Sequence, residues 1–347
     1  MRFLVLLCLF ILCLLTFSPM ASGEVKTSPG SRRAVAFALG GGRVFVSWRY
    51  KDSDGATAKY EVKRSDFRTG PYTMGGTFRE GDGTNFVDST RTIGKTSYYF
   101  VTSSTGTSWI MDIKSSKSGD TGLVIPIRDG SLCSKLTVGD LNGDGLFELI
   151  ICRTEDKKAL DLEAYTLAGE MLWRSSLEAV GEDVSLAAWD IDSDGKEEVI
   201  VKHKEDGMER LVTLNPTNGK PNSNTVLPGQ LPEALQGNGI DCQPHDALSL
   251  FWNGNNQRDL AANGQIICRD SREVLATYRG RPAVIADILG DWREELITID
   301  GNNIRIYTTG IHTAIRRPSL MDDPQYRFCI ARTAVGCRIH QTGSLDQ

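Results

Sequence analysis

Asp140-Leu-Asn142-Gly-Asp144-Gly-Leu-Phe-Glu148 is the stretch that decides how the rest of the chain is read. It returns as Asp190-Ile-Asp192-Ser-Asp194-Gly-Lys-Glu-Glu198. Asp287-Ile-Leu-Gly-Asp291-Trp-Arg-Glu-Glu295 keeps its first, fifth and ninth positions, and Phe251-Trp-Asn253-Gly-Asn255-Asn-Gln-Arg-Asp259 is a degraded copy. The three better copies start 50 and then 97 residues apart, and 97 is close to two periods. Each is entered by an apolar run, such as Ser185-Leu-Ala-Ala-Trp189, and left by a strand, such as Glu198-Val-Ile-Val201. A repeat of about 50 residues holding several strands has the size of a propeller blade. Hairpin signals fill the repeats: Leu162 to Leu167 and Met171 to Arg174 flank Gly169, and Arg210 to Leu214 precedes Asn218-Gly219. Gln265 to Cys268 is a further strand. No amphipathic helix of useful length is legible along the chain, so the predicted class is all-β.

Oxygen ligands at alternating positions of a tight loop suit a hard cation. Calcium takes about six to eight oxygens, and a short loop gathers them only where the backbone turns sharply. Gly145 and Gly195 stand at that turn. The predicted calcium ligands are Asp140, Asn142, Asp144 and Glu148 in the first loop, and Asp190, Asp192, Asp194 and Glu198 in the second. The loop closes at its ninth position and is flanked by strands, whereas an EF-hand closes at about its twelfth between helices. For one copy, acids that merely cap a turn would explain the pattern equally well. A second full copy favours calcium. The third loop has Leu289 at the middle ligand position and Trp292 where the glycine stood. Asp287, Asp291 and Glu295 there either hold a metal or salt-bridge Arg293. In every loop the expected job is to tie strands together rather than to do chemistry.

Upstream the pattern changes. Arg43 to Trp48, Lys59 to Arg64, Asn85 to Asp88 and Thr96 to Thr102 read as short strands, with turns at Gly40-Gly-Gly42, Asp54-Gly55 and Gly75 to Gly83. That spacing predicts a fibronectin- or immunoglobulin-like β-sandwich over residues 31–115, with Trp48 in its core. A Ser-, Lys- and Gly-rich linker, Ser115 to Gly122, leads to blades over 124–338, an incomplete or shortened propeller. Residues 1–23 read as an export signal: Arg2, the apolar run Phe3 to Phe17, then Ala21-Ser22-Gly23. The run is shorter than the roughly 18 residues a membrane span needs. The expected location is therefore extracellular or periplasmic, without a stable membrane anchor.

The 347-residue chain carries a formal charge of −5, which argues against nucleic acid as its main partner. Removing residues 1–23 leaves six cysteines, Cys133, Cys152, Cys242, Cys268, Cys329 and Cys337. Disulfides suit an exported chain; buried thiols in strands are the plainer reading.

The stretch Ala286 to Ile297, followed by Ile304-Arg-Ile-Tyr-Thr-Thr309 and Leu320-Met-Asp-Asp-Pro-Gln-Tyr-Arg327, resembles the C-terminal blade of family 11 rhamnogalacturonan lyases. Arg33 to Phe37 with Val44 to Arg49 resembles that family's N-terminal β-domain, and Val138 to Gly145 and Leu172-Trp-Arg174 follow in the family's order. The resemblance implies an eight-bladed propeller, bound calcium, and β-elimination at galacturonate in the pectin backbone, so an acidic plant cell-wall polysaccharide is the expected partner. The sequence departs from the pattern by showing three recognisable blades and one degraded one. It has no His in Ser175 to Leu186, and no Lys after Asn263-Gly264. Lys202, at a position where the family tends to carry lysine, is the candidate base, and Arg327 the candidate carboxylate clamp; His203 and His245 belong to no motif. Two rival classes stand beside a lyase: a carbohydrate-binding module, and a structural protein with calcium-stiffened blades. An open arc of blades would expose strand edges, which a homodimer would cover.

Overall fold

The structure, a computed structural model, describes residues 25–334 apart from 29–32, 56, 79–81, 90–93, 105–107, 115–121, 131–132, 156–158, 179–183, 206–207 and 223–247. Residues 1–23, where an export signal is expected, most of the linker, Cys242, Cys337 and His245 lie outside the described residues.

Two antiparallel sheets come first. One has the order β1 (Val25–Ser28), β2 (Ala34–Ala38), β3 (Val44–Ser47), β6 (Asn85–Asp88). The other runs β5 (Thr73–Phe78), β4 (Tyr60–Ser65), β7 (Thr96–Ser103), β8 (Ser108–Lys114). Between them Ala34, Ala36, Val46, Trp48, Tyr60, Val62, Tyr99 and Val101 form a core, with the Trp48 and Tyr60 rings 5.5 Å apart. Alternation in β7, where Tyr99 and Val101 turn inward, follows from the period-2 pleat. The strands β2 and β3 are different: they are buried along their whole length. Their second face, Val35, Phe37 and Phe45, packs on Leu123, Ile125, Phe147, Ile288 and Leu289 of the repeat region. A sheet covered on both sides reads as a continuous apolar run, and Ala-Val-Ala-Phe-Ala is one.

Four sheets follow. The first contains β10 (Cys133–Gly139), β11 (Glu148–Glu155), β12 (Ala159–Tyr165) and β13 (Met171–Glu178). The second has three strands, β14 (Ser185–Trp189), β15 (Glu198–Glu205) and β16 (Met208–Leu214). The third has β17 (Leu248–Leu250), β18 (Asp259–Ala262), β19 (Gln265–Ile267) and β20 (Val274–Thr277). The fourth is β21 (Arg281–Ala286), β22 (Glu295–Asp300) and β23 (Asn303–Tyr307), completed by β9 (Leu123–Pro126), which precedes the first sheet in the chain. Ile304 faces Ile125 in that closing pair. Each aspartate loop joins the first two strands of its sheet.

Side-chain contacts order these sheets along an arc. Glu197 of the second reaches Asp140 of the first. Arg281 of the fourth donates to the Ser134 carbonyl of the first at 3.0 Å. Glu294 of the fourth accepts from the Phe251 amide beside the third. The order is second, first, fourth, third, and no strand pairing joins the second to the third among the described residues. The architecture is all-β in its sheets; a closed propeller is not formed by these pairings.

One element corrects the sequence reading. A helix, α1 (Pro324–Ala334), follows the last sheet and packs on β14, β10 and β21, the opening strands of three sheets. Ile330 joins the large core, Ala331 packs with Ala187 and Ile200, and the Phe328 ring meets Trp189 edge-on at 5.6 Å. The Asp323 carboxylate accepts from the Gln325 amide at 2.8 Å, and Pro324 opens the first turn. Both are helix-start signals legible in the sequence. Among the described cysteines, Cys133, Cys152 and Cys268 are thiols.

Candidate functional site

The second aspartate loop has the geometry of a cation site. Ligand oxygens of Asp190, Asp192 and Asp194 all lie within 4.8 Å of one another, and Asp192 and Asp194 are exposed. The chain folds this way because the loop's own amides pull the carboxylates in. Asp194 N donates to Asp190 Oδ1 and Asp192 Oδ1 at 3.1 Å, Gly195 N to Asp190 Oδ2 at 3.0 Å, and Lys196 N to Asp194 Oδ1 at 2.8 Å. Gly195 supplies the left-handed residue the turn requires, with φ 89°. Glu198 turns back on the loop and accepts from Ile191 N at 2.9 Å. Burial raises its carboxyl above the usual range, with Asp192 and Asp194 adding to the effect. Clustered like charges are unfavourable until a cation joins them, and all-oxygen donors of this kind fit calcium.

The first loop repeats the scaffold in a tighter setting. Asp140 Oδ1 accepts from Gly143 N at 2.8 Å, Asn142 Oδ1 from Asp144 N at 2.8 Å, and Glu148 Oε2 from Leu141 N at 2.9 Å. Burial pushes Glu148 up to about 8. Two guanidiniums stand beside this loop. Arg49 donates to the Gly145 carbonyl at 3.0 Å, and a Cβ on Gly145 would lie 1.5 Å from Arg33 Cζ.

The third loop is buried. Asp287, Asp291 and Glu295 are at most 2 % exposed. Arg293 salt-bridges Asp291 at 3.0 Å, the alternative to metal that the sequence offered. Trp292 holds the position of the missing glycine at φ 69°, a strained conformation fixed by full burial and by a 3.1 Å bond from its indole N–H to the Ile315 carbonyl. Burial drives Asp287 and Glu295 well above the usual carboxylate range, and the neighbouring Asp291 adds to it.

Sequence reasoning missed Glu197 and Glu294, the eighth residues of the second and third loops. Glu197 Oε2 accepts from Asp140 N at 2.8 Å, and its own amide donates to the Asp140 carbonyl at 2.9 Å. Glu294 Oε2 accepts from Phe251 N at 2.8 Å, and its amide donates to the Phe251 carbonyl at 3.2 Å. Asp140 and Phe251 are the first residues of their own copies, so one device joins two different pairs of sheets. Helix α1 engages both: Arg327 donates to Glu197 Oε1, and Tyr326 OH donates to Glu294 Oε1 at 2.7 Å. The signal was an acid pair, Glu-Glu, at positions eight and nine of two copies.

Lys202 is half-buried on β15, opposite Ser185 and Leu211. It shares a strand face with Ile200, which packs against Ala331 of α1. Arg327 sits on that helix with its guanidinium on Glu197 and a side chain 31 % exposed. His203 is buried with Nδ1 lacking a partner.

Residues 235–342 match the family described as rhamnogalacturonan lyase family 11, C-terminal domain. The chain is similar to the rhamnogalacturonan endolyase YesW of Bacillus subtilis, 40 % identical over 83 residues, which is 23 % of this chain and 12 % of that one. It is 47 % identical over 55 residues to the rhamnogalacturonan exolyase YesX of the same organism, covering 15 % and 9 %. These matches span about a tenth of the length of the curated relatives. Among solved structures, an Fn3-like protein from Clostridium thermocellum aligns at 25 % identity over 26 % of this chain and 98 % of that one, with a TM-score of 0.21.

Proposed function

We propose that this chain, a divergent member of rhamnogalacturonan lyase family 11, acts on the rhamnogalacturonan backbone of pectin as an exported, calcium-dependent lyase. The observation that carries the reading is the match of residues 235–342 to the family's C-terminal domain, with two rhamnogalacturonan lyases similar over shorter stretches. Galacturonate is an anion and the chain is net negative, so binding needs a local cation. Calcium on the second loop, and on the first, supplies positive charge and stiffens the strands around it.

In the proposed reaction a base takes the proton from the carbon that bears the carboxylate. The C–H electron pair becomes a carbon–carbon double bond, and the bond to the departing sugar oxygen breaks. That oxygen leaves with a proton. Lys202 is the proposed base and must meet the substrate as a neutral amine. Arg327 is the proposed clamp on the substrate carboxylate, which it reaches only with the part of its guanidinium that Glu197 leaves exposed. Loss of Arg327 is therefore expected to cost stability as well as turnover.

The test is the mass of the product from a purified rhamnogalacturonan oligosaccharide. Elimination gives an unsaturated uronate fragment lighter by one water than its hydrolytic counterpart, and Lys202→Ala abolishes it while leaving the fold intact. No cleavage by a folded, calcium-loaded chain removes the lyase reading. A second reading, a binding module that grips acidic sugar without cleaving it, is favoured by the absence of His from Ser175 to Leu186. Retained affinity for the uncleaved oligosaccharide supports it. We also propose a homodimer that covers the ends of the arc; a monomer by light scattering at micromolar concentration contradicts it.

A further inference from the structure

The second and third loops share a motif and differ in what reaches their carboxylates. In the second, the donors to Asp190, Asp192 and Asp194 are backbone amides of the loop itself. In the third, side chains join the backbone amides: Arg293 from the loop itself, and Asn85, Ser319 and Thr308 from outside it. Asp291 Oδ2 accepts from Arg293 Nη2 at 3.0 Å and from the amide of Asn85, on sandwich strand β6. Asp287 Oδ2 takes the Ser319 hydroxyl and the Leu320 amide, each at 2.8 Å. Glu295 Oε1 takes the Thr308 hydroxyl at 3.0 Å, and its Oε2 the Leu289 amide at 3.1 Å. With Gly290 N on Asp287 Oδ1 at 2.8 Å and Arg293 N on Asp291 Oδ1 at 3.1 Å, every carboxylate oxygen of the trio has a protein donor.

We infer that the third loop holds no calcium: the guanidinium of Arg293 takes the cation's place, and the loop is the socket in which the sandwich docks. Calcium needs about six to eight oxygens turned toward it, and here a guanidinium and an amide already point at Asp291. The rest of the contact has the shape of a socket. Ser47 Oγ donates to the Leu289 carbonyl at 3.0 Å. Gly290, at φ 79°, leaves room for the Arg49 side chain, whose Cγ lies 2.6 Å from where a Cβ would be. Arg49 then passes on to Asp322 at 2.8 Å and to the Gly145 carbonyl at 3.0 Å. Asn85 also donates to the Thr309 carbonyl at 3.1 Å. Three sandwich residues, Ser47, Arg49 and Asn85, thus reach the loop or its rim. An arginine cannot be chelated away, so this contact is independent of calcium. The inference concerns the loop outside the proposed calcium set, and it holds whether or not the chain cleaves polysaccharide.

Hydrogen exchange on the full chain, with calcium and with chelator, tests it beside elemental analysis of bound calcium. Amides of Gly290 and Arg293 are expected to exchange at the same rate in both conditions. Asn85→Ala is expected to speed exchange in β6 and the third loop together, on the order of tenfold, as for loss of a buried bond to a charged group. Bound calcium is unchanged in Asn85→Ala and in Asp291→Asn. Calcium-dependent protection of the third loop, or one equivalent lost in Asp291→Asn, overturns the inference; so does Asn85→Ala leaving exchange in β6 and the loop unchanged. Wild-type chain with no bound calcium and an unresponsive second loop defeats the calcium reading instead, and the Asn85→Ala arm still decides this one.

Discussion

Glu197 and Glu294 show how much one side chain decides in this fold. Each is buried, each accepts the first amide of a neighbouring repeat, and each is met by a residue of α1. Arg327 keeps 31 % of its side chain exposed, so removing Glu197 leaves that charge partly solvated but strips the Asp140 amide of its acceptor, at a cost of about 1–3 kcal/mol. Glu197→Ala is expected to lose that much in urea unfolding, and a loss below about 1 kcal/mol would place Glu197 among ordinary surface pairs. The ninth-position acids were legible because a ligand loop needs an acid there. The eighth-position acids were not, because their partners come from another repeat and no local pattern marks them. The buried thiols make a pH prediction. Burial pushes Cys133 up to about 12 and Cys152 up to about 11. Unfolded thiols ionise near an ordinary value of about 8.5, so their contribution is complete below that and is lost as pH rises toward the folded values. Denaturation in alkaline buffer should steepen over that window, and Cys133→Ser with Cys152→Ser should flatten the slope; an unchanged slope argues against it.

At the scale of elements, α1 is the part that is not legible in the sequence, and it packs on the opening strands of three sheets. Its start was written in Asp323-Pro324, but the segment after it carries no plain apolar stripe: Gln325, Tyr326, Arg327, Phe328, Cys329 and Ile330 mix polar and apolar on every side. The helix is fixed by what it packs against, not by its own propensity. Asp323→Ala removes the bond to the Gln325 amide and is expected to cost about 1 kcal/mol. The check is thermal unfolding together with protection of the Arg327 amide; unaltered protection would show that the cap is dispensable. The strands β2 and β3 teach a related point. Val44-Phe-Val-Ser47 reads as a short strand, and all four residues are buried because the second face meets the repeats. Sequence period reports one covering layer and is silent about a second.

For the whole molecule, the repeat spacing made the sheets legible but not their arrangement. The strand β9 lies before the first repeat and completes the last sheet, so the two ends of the repeat region are tied by a pairing more than 170 residues apart in sequence. Nothing local in Leu123-Val-Ile-Pro126 names that partner. The sheets it fastens carry the second loop and the proposed base Lys202, helix α1 spans strands of three of them, and the sandwich meets the third loop. The match of residues 235–342 to the C-terminal domain of the rhamnogalacturonan lyases is what suggests a substrate for that assembly. The proposed elimination leaves an unsaturated uronate, whose ultraviolet absorbance reports the new double bond as it forms. With rhamnogalacturonan and calcium a steady rise is expected that stops on adding chelator and is absent in Lys202→Ala. A flat trace from folded, calcium-bound protein contradicts it.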